Sequence, residues 1–482
     1  MDSNNSYPLN FRERVKEAAE LISKWAEEDL NVSIFTHLDA DGLSSGGIIA
    51  RVLERLNVSF RIRVLKQLTD NALKSFSSNI GDAVIFVDFG SGQKNLIVDH
   101  LSSIKCLILD HHQPISVDAN FCIEVNPHLF GVDGSRFLSS SGVAYLVARE
   151  ISHENFDLSP IAVVGALGDR QDCGERKNLV GLNSFIVEEA VREGFLEVKF
   201  GLRLFGFESR PVVKSLEYTV DPLIPGLSGD YNACLNFMKG LGIPPINEDG
   251  ILRRLSDLSS VELKRLMIGL VKYMLSKGIE SREAEGIMGT IYILSRESSD
   301  SPLKDAREYA SLLNACGRLG FPSIGILLSM GRRGEVLRRA VEISDRYRHE
   351  IVRIVNWLSR NMDKVRSTEN LQVVHAGSMV DDRMIGTLIS LALSSHILSP
   401  RKPIVAFAYS SEGKVKVSAR ADRSLIEKGL NLGLAVMKAA QAVGGLGGGH
   451  DVAAGAEIDK GLEEDFIKIL DEIVGKQFSG EV

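Results

Sequence analysis

Cysteine, glutamine and long apolar runs are all scarce in this chain, and each scarcity excludes something. The five cysteines, Cys106, Cys122, Cys173, Cys234 and Cys316, are scattered with no C-x-x-C pair. That spacing excludes a thiolate metal site and fits a reducing cytoplasm. No uninterrupted apolar stretch is long enough to span a bilayer, so no membrane role is expected. The opening MDSNNSYPLNFRERVKEAAELISKW is polar and then amphipathic, without the apolar heart of a secretory signal. A cytoplasmic location is the expectation. Positive charge is also in deficit: 56 Lys and Arg face 63 Asp and Glu, a formal charge of −7. A basic coat that would grip nucleic acid everywhere is thereby excluded, and any such contact has to come from local patches. Seven glutamines in 482 residues hint at a heat-adapted source. Internal repeats and low-complexity tails are absent.

What is present reads as several domains, two to four at roughly 150 residues each. From residue 32 to about 167, short β-type runs (32–36, 61–65, 83–87, 105–109) alternate with helical patterns such as 43–56. Alternation of this kind implies a parallel, doubly wound α/β sheet. Segment 161–167 is apolar and rich in Ala and Gly, and fits helix or strand. Between about 201 and 360 the character changes to turn-rich stretches (221–226, 240–250) and helices (261–275, 303–313). A long amphipathic helix at 336–357 follows, in a stretch (331–360) with eight Arg against four acids. It could line a channel or simply connect, and the connector is favoured. From 371 the β/α character returns, with strands at 373–375, 404–409, 415–419 and 453–458 and helices at 383–393, 430–442 and 463–474. The expected division is a parallel-sheet α/β domain (1–200), a mainly helical inserted module (201–335), a connector helix (336–369) and a smaller α/β domain (370–482).

The chemistry is concentrated at the ends of three expected strands. The first ends in Thr36-His37-Leu38-Asp39-Ala40-Asp41-Gly42, the next in Val87-Asp88-Phe89-Gly90, and a third in Leu109-Asp110-His111-His112. Ligands of open α/β sheets bind outside the carboxyl ends of the strands. Several carboxylates on one rim repel one another unless cations neutralise them. Mixed carboxylate and imidazole donors suit Mn²⁺ better than Mg²⁺. Two such ions can hold the attacking and leaving oxygens of a phosphate displacement and make water more acidic. Alone, D-x-D-G is more often a loop or helix cap and a His pair more often a polar surface feature or a satisfied core histidine. The combination, each piece after an apolar run, is what points to metal chemistry.

HLDADG, VDFG and LDHH, followed by GALGD, resemble the four motifs of the DHH phosphoesterases in order and rough separation. VSARA and GGLGGGHDVAAGAEI resemble the DHHA1 substrate-binding domain. The arrangement is most similar to archaeal RecJ-like exonucleases, including the GINS-associated nuclease, whose middle module is inserted between two such halves. The resemblance implies that His37, Asp39 and Asp88 hold one divalent ion. Asp41, Asp88, His111 and Asp169 would hold a second, with Asp88 bridging. His112 would face the scissile phosphate and Asp110 would orient an imidazole. Asp172 is a nearby rival to Asp169.

Substrate contacts are expected from Gly447, Gly448, Gly449 and His450, because a glycine run can turn backbone N–H groups onto an anion. Arg420 suits bidentate phosphate recognition and Ser418 stands two positions before it. Residues 401–440, with eight basic and three acidic residues, are locally about +5. Ser141, in a Ser-Ser-Ser-Gly segment before a helical pattern, is equally a helix cap or a phosphate contact. His128, in Asn126-Pro127-His128, is expected to be structural. The functional expectation is a two-metal, Mn²⁺-preferring (Mg²⁺-tolerant) exonuclease on single-stranded DNA, with RNA open, holding the strand across an inter-domain cleft. The alternatives are a small-molecule phosphoesterase and a replication scaffold that joins GINS and the replicative helicase.

Overall fold

The computed structural model describes residues 8–76, 80–220, 222–394, 397–410 and 413–480. Residues 1–7 of the polar opening and Asp221 of the 221–226 turn lie outside them. The chain divides into two compact units, one of Met1–Ser215 with Phe237–Asp345, the other of Leu216–Asn236 with Arg346–Val482.

The first unit opens with helix α1 (Leu9–Glu27), which buries Phe11, Val15, Ala18, Ile22 and Trp25. Their spacing of three and four residues is that of one helical face. Five strands follow: β1 (Val32–His37), β2 (Phe60–Leu65), β3 (Ala83–Val87), β4 (Lys105–Leu109) and β5 (Cys122–Val125). They lie in the order β2-β1-β3-β4-β5, and every pairing is parallel. All five residues of β3 are buried, and so are the first five of β1, as a sheet covered on both faces requires. Helices α2 (Ala40–Arg55), α3 (Asp70–Phe76) and α4 (Lys94–Leu101) cross between strands. Phe35, Val84, Phe86 and Ile108 of the sheet pack with Leu73 of α3 and with Ile97 and Leu101 of α4. α2 packs with α5 (Ser140–Ile151) and α6 (Ser159–Gly168). The ambiguous segment 161–167 is therefore helix α6, and it is apolar all round because it is buried all round.

After α7 (Leu182–Arg192), β6 (Leu196–Leu202) pairs antiparallel with β7 (Met288–Leu294). Between them run α8 (Val212–Tyr218), α9 (Tyr231–Gly240), α10 (Ser260–Ser276) and α11 (Ser281–Glu285). Beyond β7, α12 (Ala306–Arg318) and α13 (Pro322–Ser329) pack directly on α2. The helices meet at glycines: a Cβ on Gly47 would stand 2.3 Å from Ser329 Cβ, and one on Gly317 would stand 1.6 Å from the Leu38 carbonyl oxygen. Residues 237–335 thus share a unit with 1–200, and residues 216–236 fall in the other. α14 (Glu335–Arg360) runs on from the first unit into the second, and several of its arginines are occupied, Arg338 by Glu335 and Glu342, Arg353 by Glu350.

The second unit is built on a six-stranded mixed sheet of β8 (Val365–Ser367), β9 (Gln372–Gly377), β10 (Ile404–Tyr409), β11 (Lys414–Arg420), β12 (Leu446–Gly449) and β13 (Ala453–Asp459). Their order is β12-β13-β11-β10-β9-β8. α15 (Ile385–Ser394), the short α16 (Arg423–Ile426), α17 (Leu432–Ala442) and α18 (Glu463–Ser479) complete it. Val373, Val405, Phe407, Val415 and Val417 of the sheet form a core with Val436 of α17 and with Phe466 and Leu470 of α18.

The GGLGGG run is a strand and not a free linker: Leu446–Gly449 is β12, paired with β13 at the sheet edge. One expectation is corrected here. The cysteines are not all isolated thiols: Cys106 and Cys122 stand opposite each other on β4 and β5, Cα atoms 4.4 Å apart, and are joined as a disulfide. Parallel register brings together two residues sixteen apart in sequence. Cys173, Cys234 and Cys316 form no disulfide among the described residues.

Candidate metal centre

Because β1, β3 and β4 are parallel neighbours, their carboxyl ends open on one rim. His37 ends β1, with Asp39 and Asp41 just beyond it. Asp88 follows β3, and Asp110, His111 and His112 follow β4. Asp169 arrives separately, as the residue that closes α6. Ligand atoms of His37, Asp39 and Asp88 lie within 4.8 Å of one another, as do those of Asp41, Asp88, His111 and Asp169. Asp88 belongs to both sets, and also to a third with His111 and His112.

Several of these side chains are held from behind. Asp39 caps α2, its Oδ1 accepting the Gly42 N–H at 3.0 Å, while its Oδ2 sits 2.9 Å from His37 Nδ1. The helix-cap reading of D-x-D-G and the ligand reading are compatible on one carboxylate. Asp41 is wholly buried and accepts the backbone N–H groups of Ser140 (2.7 Å) and Ser141 (3.0 Å). The anion at the positive end of α5 is therefore Asp41. Ser141 is corrected from a substrate contact to a support: it is buried, and its hydroxyl donates to the Ala162 carbonyl at 3.0 Å. His111 Nδ1 donates to the Gly134 carbonyl at 2.8 Å. Its Nε2 then faces Asp169 Oδ2 (3.2 Å), Asp88 Oδ1 (3.5 Å) and Asp41 Oδ2 (4.0 Å). A bonded outer nitrogen and an inward-facing inner one is how a ligating imidazole is presented. His112, 39% exposed, has its ring fixed by Nδ1 at 2.8 Å from Asp110 Oδ1. Asp110 is itself buried and accepts the backbone N–H groups of Ser91, His111 and His112.

Asp88 is set in an uncommon backbone conformation, φ 63°. The left-handed region turns the chain sharply at the strand end, and Asp tolerates it better than most residues. Its Oδ1 is buried and accepts no hydrogen bond among the described residues. A buried carboxylate oxygen that accepts no hydrogen bond, ringed by other carboxylates and facing the His111 imidazole at 3.5 Å, is what a divalent cation fits.

The proton affinities show the same crowding. Burial and the Asp88 charge push Asp41 up to about 6. Burial and Asp41 raise Asp169 well above the ordinary carboxylate range. Burial opposes charge on His37, but Asp39 and Asp88 outweigh it and raise the imidazole well above its ordinary value. For His111, Asp88, Asp169 and Asp41 outweigh burial in the same way. Burial works against Asp110 as an anion too, yet the facing His112 and the backbone donors hold it low.

The rival Asp172 is excluded from the cluster by its partners, Arg203 (3.0 Å) and Arg307 (2.8 Å). His128 lies outside the three ligand groups. Asn126 instead steadies the loop, donating to the His112 carbonyl and to Ser91 Oγ, each at 2.8 Å. The sequence reading missed Asn314 of α12, whose Oδ1 accepts the Ala40 N–H at 3.1 Å across 274 residues of chain. Nothing local to Asn314 signals that role.

In the second unit, strand alternation puts Lys416, Ser418 and Arg420 on one face of β11. Register sets Ser418 opposite Gly455, and Gly455 opposite Gly448. A Cβ on Gly448 would meet nothing within 4 Å, whereas one on Gly455 would lie 3.6 Å from Lys416 Nζ and one on Gly386 of α15 would lie 3.1 Å from Ser418 Oγ, so the row is floored by glycine and open at its Gly448 end. Arg420 is braced by Ser390 Oγ (2.9 Å) and the Ala419 carbonyl (2.8 Å). Gly447 and Gly449 also lie where the sheet packs closely. A Cβ on Gly447 would lie 2.9 Å from Ala440 Cβ, and Gly433 of α17 approaches the Gly449 carbonyl so closely that its own Cβ would lie at 2.4 Å. His450 continues into the turn, its N–H donating to Ala453 at 2.8 Å.

A parallel sheet with carboxylates and imidazoles on its rim, in a chain with a second, glycine-floored α/β unit, defines a two-domain α/β protein with a candidate metal centre. Family models match three stretches: the DHH family N-terminal domain at 31–168, the DHH-CID domain at 204–288 and the DHHA1 domain at 370–476. An uncharacterized protein of Methanocaldococcus jannaschii is 32% identical over 477 residues, covering 96% of this chain and 99% of the relative. The chain belongs to the DHH/DHHA1 family. Its fold is RecJ-like: RecJ of Thermus thermophilus in complex with Mn²⁺ matches with a TM-score of 0.58 at 16% identity, over 96% of this chain. The match covers 55% of that RecJ, so this chain spans about half its length. CDC45 from Entamoeba histolytica matches with a TM-score of 0.64 at 12% identity, over 96% of this chain and 99% of that one. Among the described residues no helix is long and apolar enough to cross a membrane.

Proposed function

We propose that this chain is a metal-dependent exonuclease that releases nucleotides from an end of single-stranded DNA, with RNA as a second substrate, in replication or repair. The observation that carries the proposal is Asp88, a buried carboxylate with one oxygen unbonded, shared between two ligand sets. His37, Asp39 and Asp88 hold one divalent ion, and Asp41, Asp88, His111 and Asp169 hold the other. The mixed donors favour Mn²⁺ and admit Mg²⁺. Bound there, the ions supply Lewis-acid stabilisation of the phosphate and make water acidic enough to attack it.

The chain's own groups do the rest. Asp110 fixes the ring of His112, which presents its other nitrogen to the scissile phosphate and stabilises charge developing there. Ser418, Arg420, Gly448 and His450 hold the strand's phosphates, with Arg420 already braced. Residues 1–200 carry the chemistry, 370–482 grip the substrate, and 201–335 and 336–369 link them. That RecJ crystallises with manganese on the same fold supports the cofactor. The resemblance to GINS-associated nucleases extends the proposal to contacts with GINS and the replicative helicase, in the cytoplasm. A scaffold without catalysis has no use for an intact cluster, which favours the enzyme.

The test is incubation of pure protein with Mn²⁺ and end-labelled strands. Mononucleotides should be released from linear single strands, while circular strands and blunt duplexes survive. Equal cleavage of circles, or preference for a dinucleotide over a longer oligonucleotide in competition, would replace the exonuclease with an endonuclease or a small-molecule phosphoesterase.

A further inference from the structure

We propose that Gln171 and Asn183 are positioning residues that lock Asp41 and His111 in place relative to each other. The proposal rests on the two-ion reading above. Asn183 does not touch the ligand cluster, and Gln171 meets it only at the back of His111, its Nε2 standing 3.3 Å from His111 Nδ1. The two amides close a buried chain of hydrogen bonds that begins behind one ligand and ends behind the other.

At one end the Ser141 N–H holds Asp41 (3.0 Å), and Ser141 Oγ shares a hydrogen bond with Ser139 Oγ (2.8 Å). The Ser139 N–H donates to Asn183 Oδ1 (3.4 Å), and Asn183 Nδ2 donates to Gln171 Oε1 (2.6 Å). Gln171 Nε2 donates to the Gly134 carbonyl (2.9 Å), the same oxygen that accepts His111 Nδ1 (2.8 Å). Ser139, Ser141, Asn183, Gln171 and His111 are all buried. Water cannot substitute for a lost member, so each deletion strands a polar group.

The chain also has a fixed sense. The Ser139 N–H can only donate and the Gly134 carbonyl can only accept. Each amide between them therefore has one workable orientation, with Asn183 Oδ1 toward Ser139 and Gln171 Nε2 toward Gly134. Gly134 then accepts His111 Nδ1–H, which leaves the Nε2 lone pair for the cluster. His37 and Asp39 take no part in this chain. Loss of the relay should therefore loosen one ion and spare the other.

The experiment is calorimetric titration of Mn²⁺ into the metal-free full chain, with thermal unfolding of the same metal-free samples. Wild type should bind two ions. Gln171→Met should keep one at wild-type affinity and weaken the other about 10–100-fold, the usual effect of losing a group that orients a ligand. Gln171→Glu is nearly isosteric and reverses the sense at Gly134, and it should act in the same direction even if the Met variant fails to fold. Two ions bound within about twofold of wild type, with only the melting temperature lowered, would make the amides merely structural and overturn the inference. Equal loss of both ions would overturn it too. A wild-type chain that takes up no Mn²⁺ overturns the two-ion reading itself, and the positioning role with it.

Discussion

Asp88 combines a charge and a conformation, and the two can be separated. Asp88→Ala removes the carboxylate shared by both ligand sets and should reduce cleavage to background while single-strand binding persists, as read by a nuclease assay beside fluorescence anisotropy. Near-native turnover would contradict the bridging role. Asn tolerates the left-handed backbone nearly as well as Asp. Asp88→Asn should therefore melt within a few degrees of wild type in the absence of metal and still be inactive. A large loss of stability in that variant would mean that the carboxylate also secures the fold. The rim residues after β1, β3 and β4 were legible in the sequence because each follows an apolar run that reads as a buried strand, while the ligand roles, and Asp169 after the ambiguous α6 run, came from the motif resemblance. The residues that hold them were less so. Asn314 reaches Ala40 only through tertiary packing, and Ser141 looked equally like a cap and a contact until its hydroxyl was found donating to Ala162.

At the scale of elements, α6 shows both the strength and the limit of periodicity. Its run of Pro160–Leu167 is buried on every side, so no apolar stripe distinguishes helix from strand. The glycine run hid a strand for a related reason: glycine carries no apolar signal, yet here it lets α17 lie close against β12. The β6–β7 pairing joins residues roughly ninety apart, and the exposed middle of β6 lacked the apolar signal of its partner. Close approach also makes a prediction about α6. A Cβ on Gly165 would lie 2.1 Å from Ser141 Oγ and 2.4 Å from Asp41 Oδ1. Gly165→Ala should cost about 1–3 kcal/mol, as overpacking does, and should displace Asp41 as well. Denaturant midpoints and Mn²⁺ affinity should fall together, whereas a change in stability alone would mean that α6 moves away without disturbing the cluster.

For the whole molecule, the crowded rim makes stability depend on pH in a direction opposite to ordinary acid unfolding. Asp41 is raised from 3.8 to about 6, so the folded chain holds this proton more tightly than the unfolded chain does. Its contribution is complete below pH 3.8 and is lost as pH rises through about 6. His37 and His111, also raised, contribute fully below 6.5 and lose that contribution above it. Asp39 and Asp110 are lowered and matter only at more acidic pH. The metal-free melting temperature should therefore fall between about pH 4 and pH 8, and saturating Mn²⁺ should flatten the decline by replacing the lost protons. Differential scanning calorimetry with and without chelator measures both curves, and a metal-free chain that grows more stable across that window would show that the rim is not crowded with like charge.

Gly317 presses on the Leu38 carbonyl, and α12 is supplied by a stretch of chain far from the first motif. A minimal metal-centre unit cannot then be obtained by trimming this protein at residue 200, since the piece removed would include the floor beneath its own first motif. Any shortened version that keeps its shape has to retain residues 306–329, joined back to the sheet by a new linker.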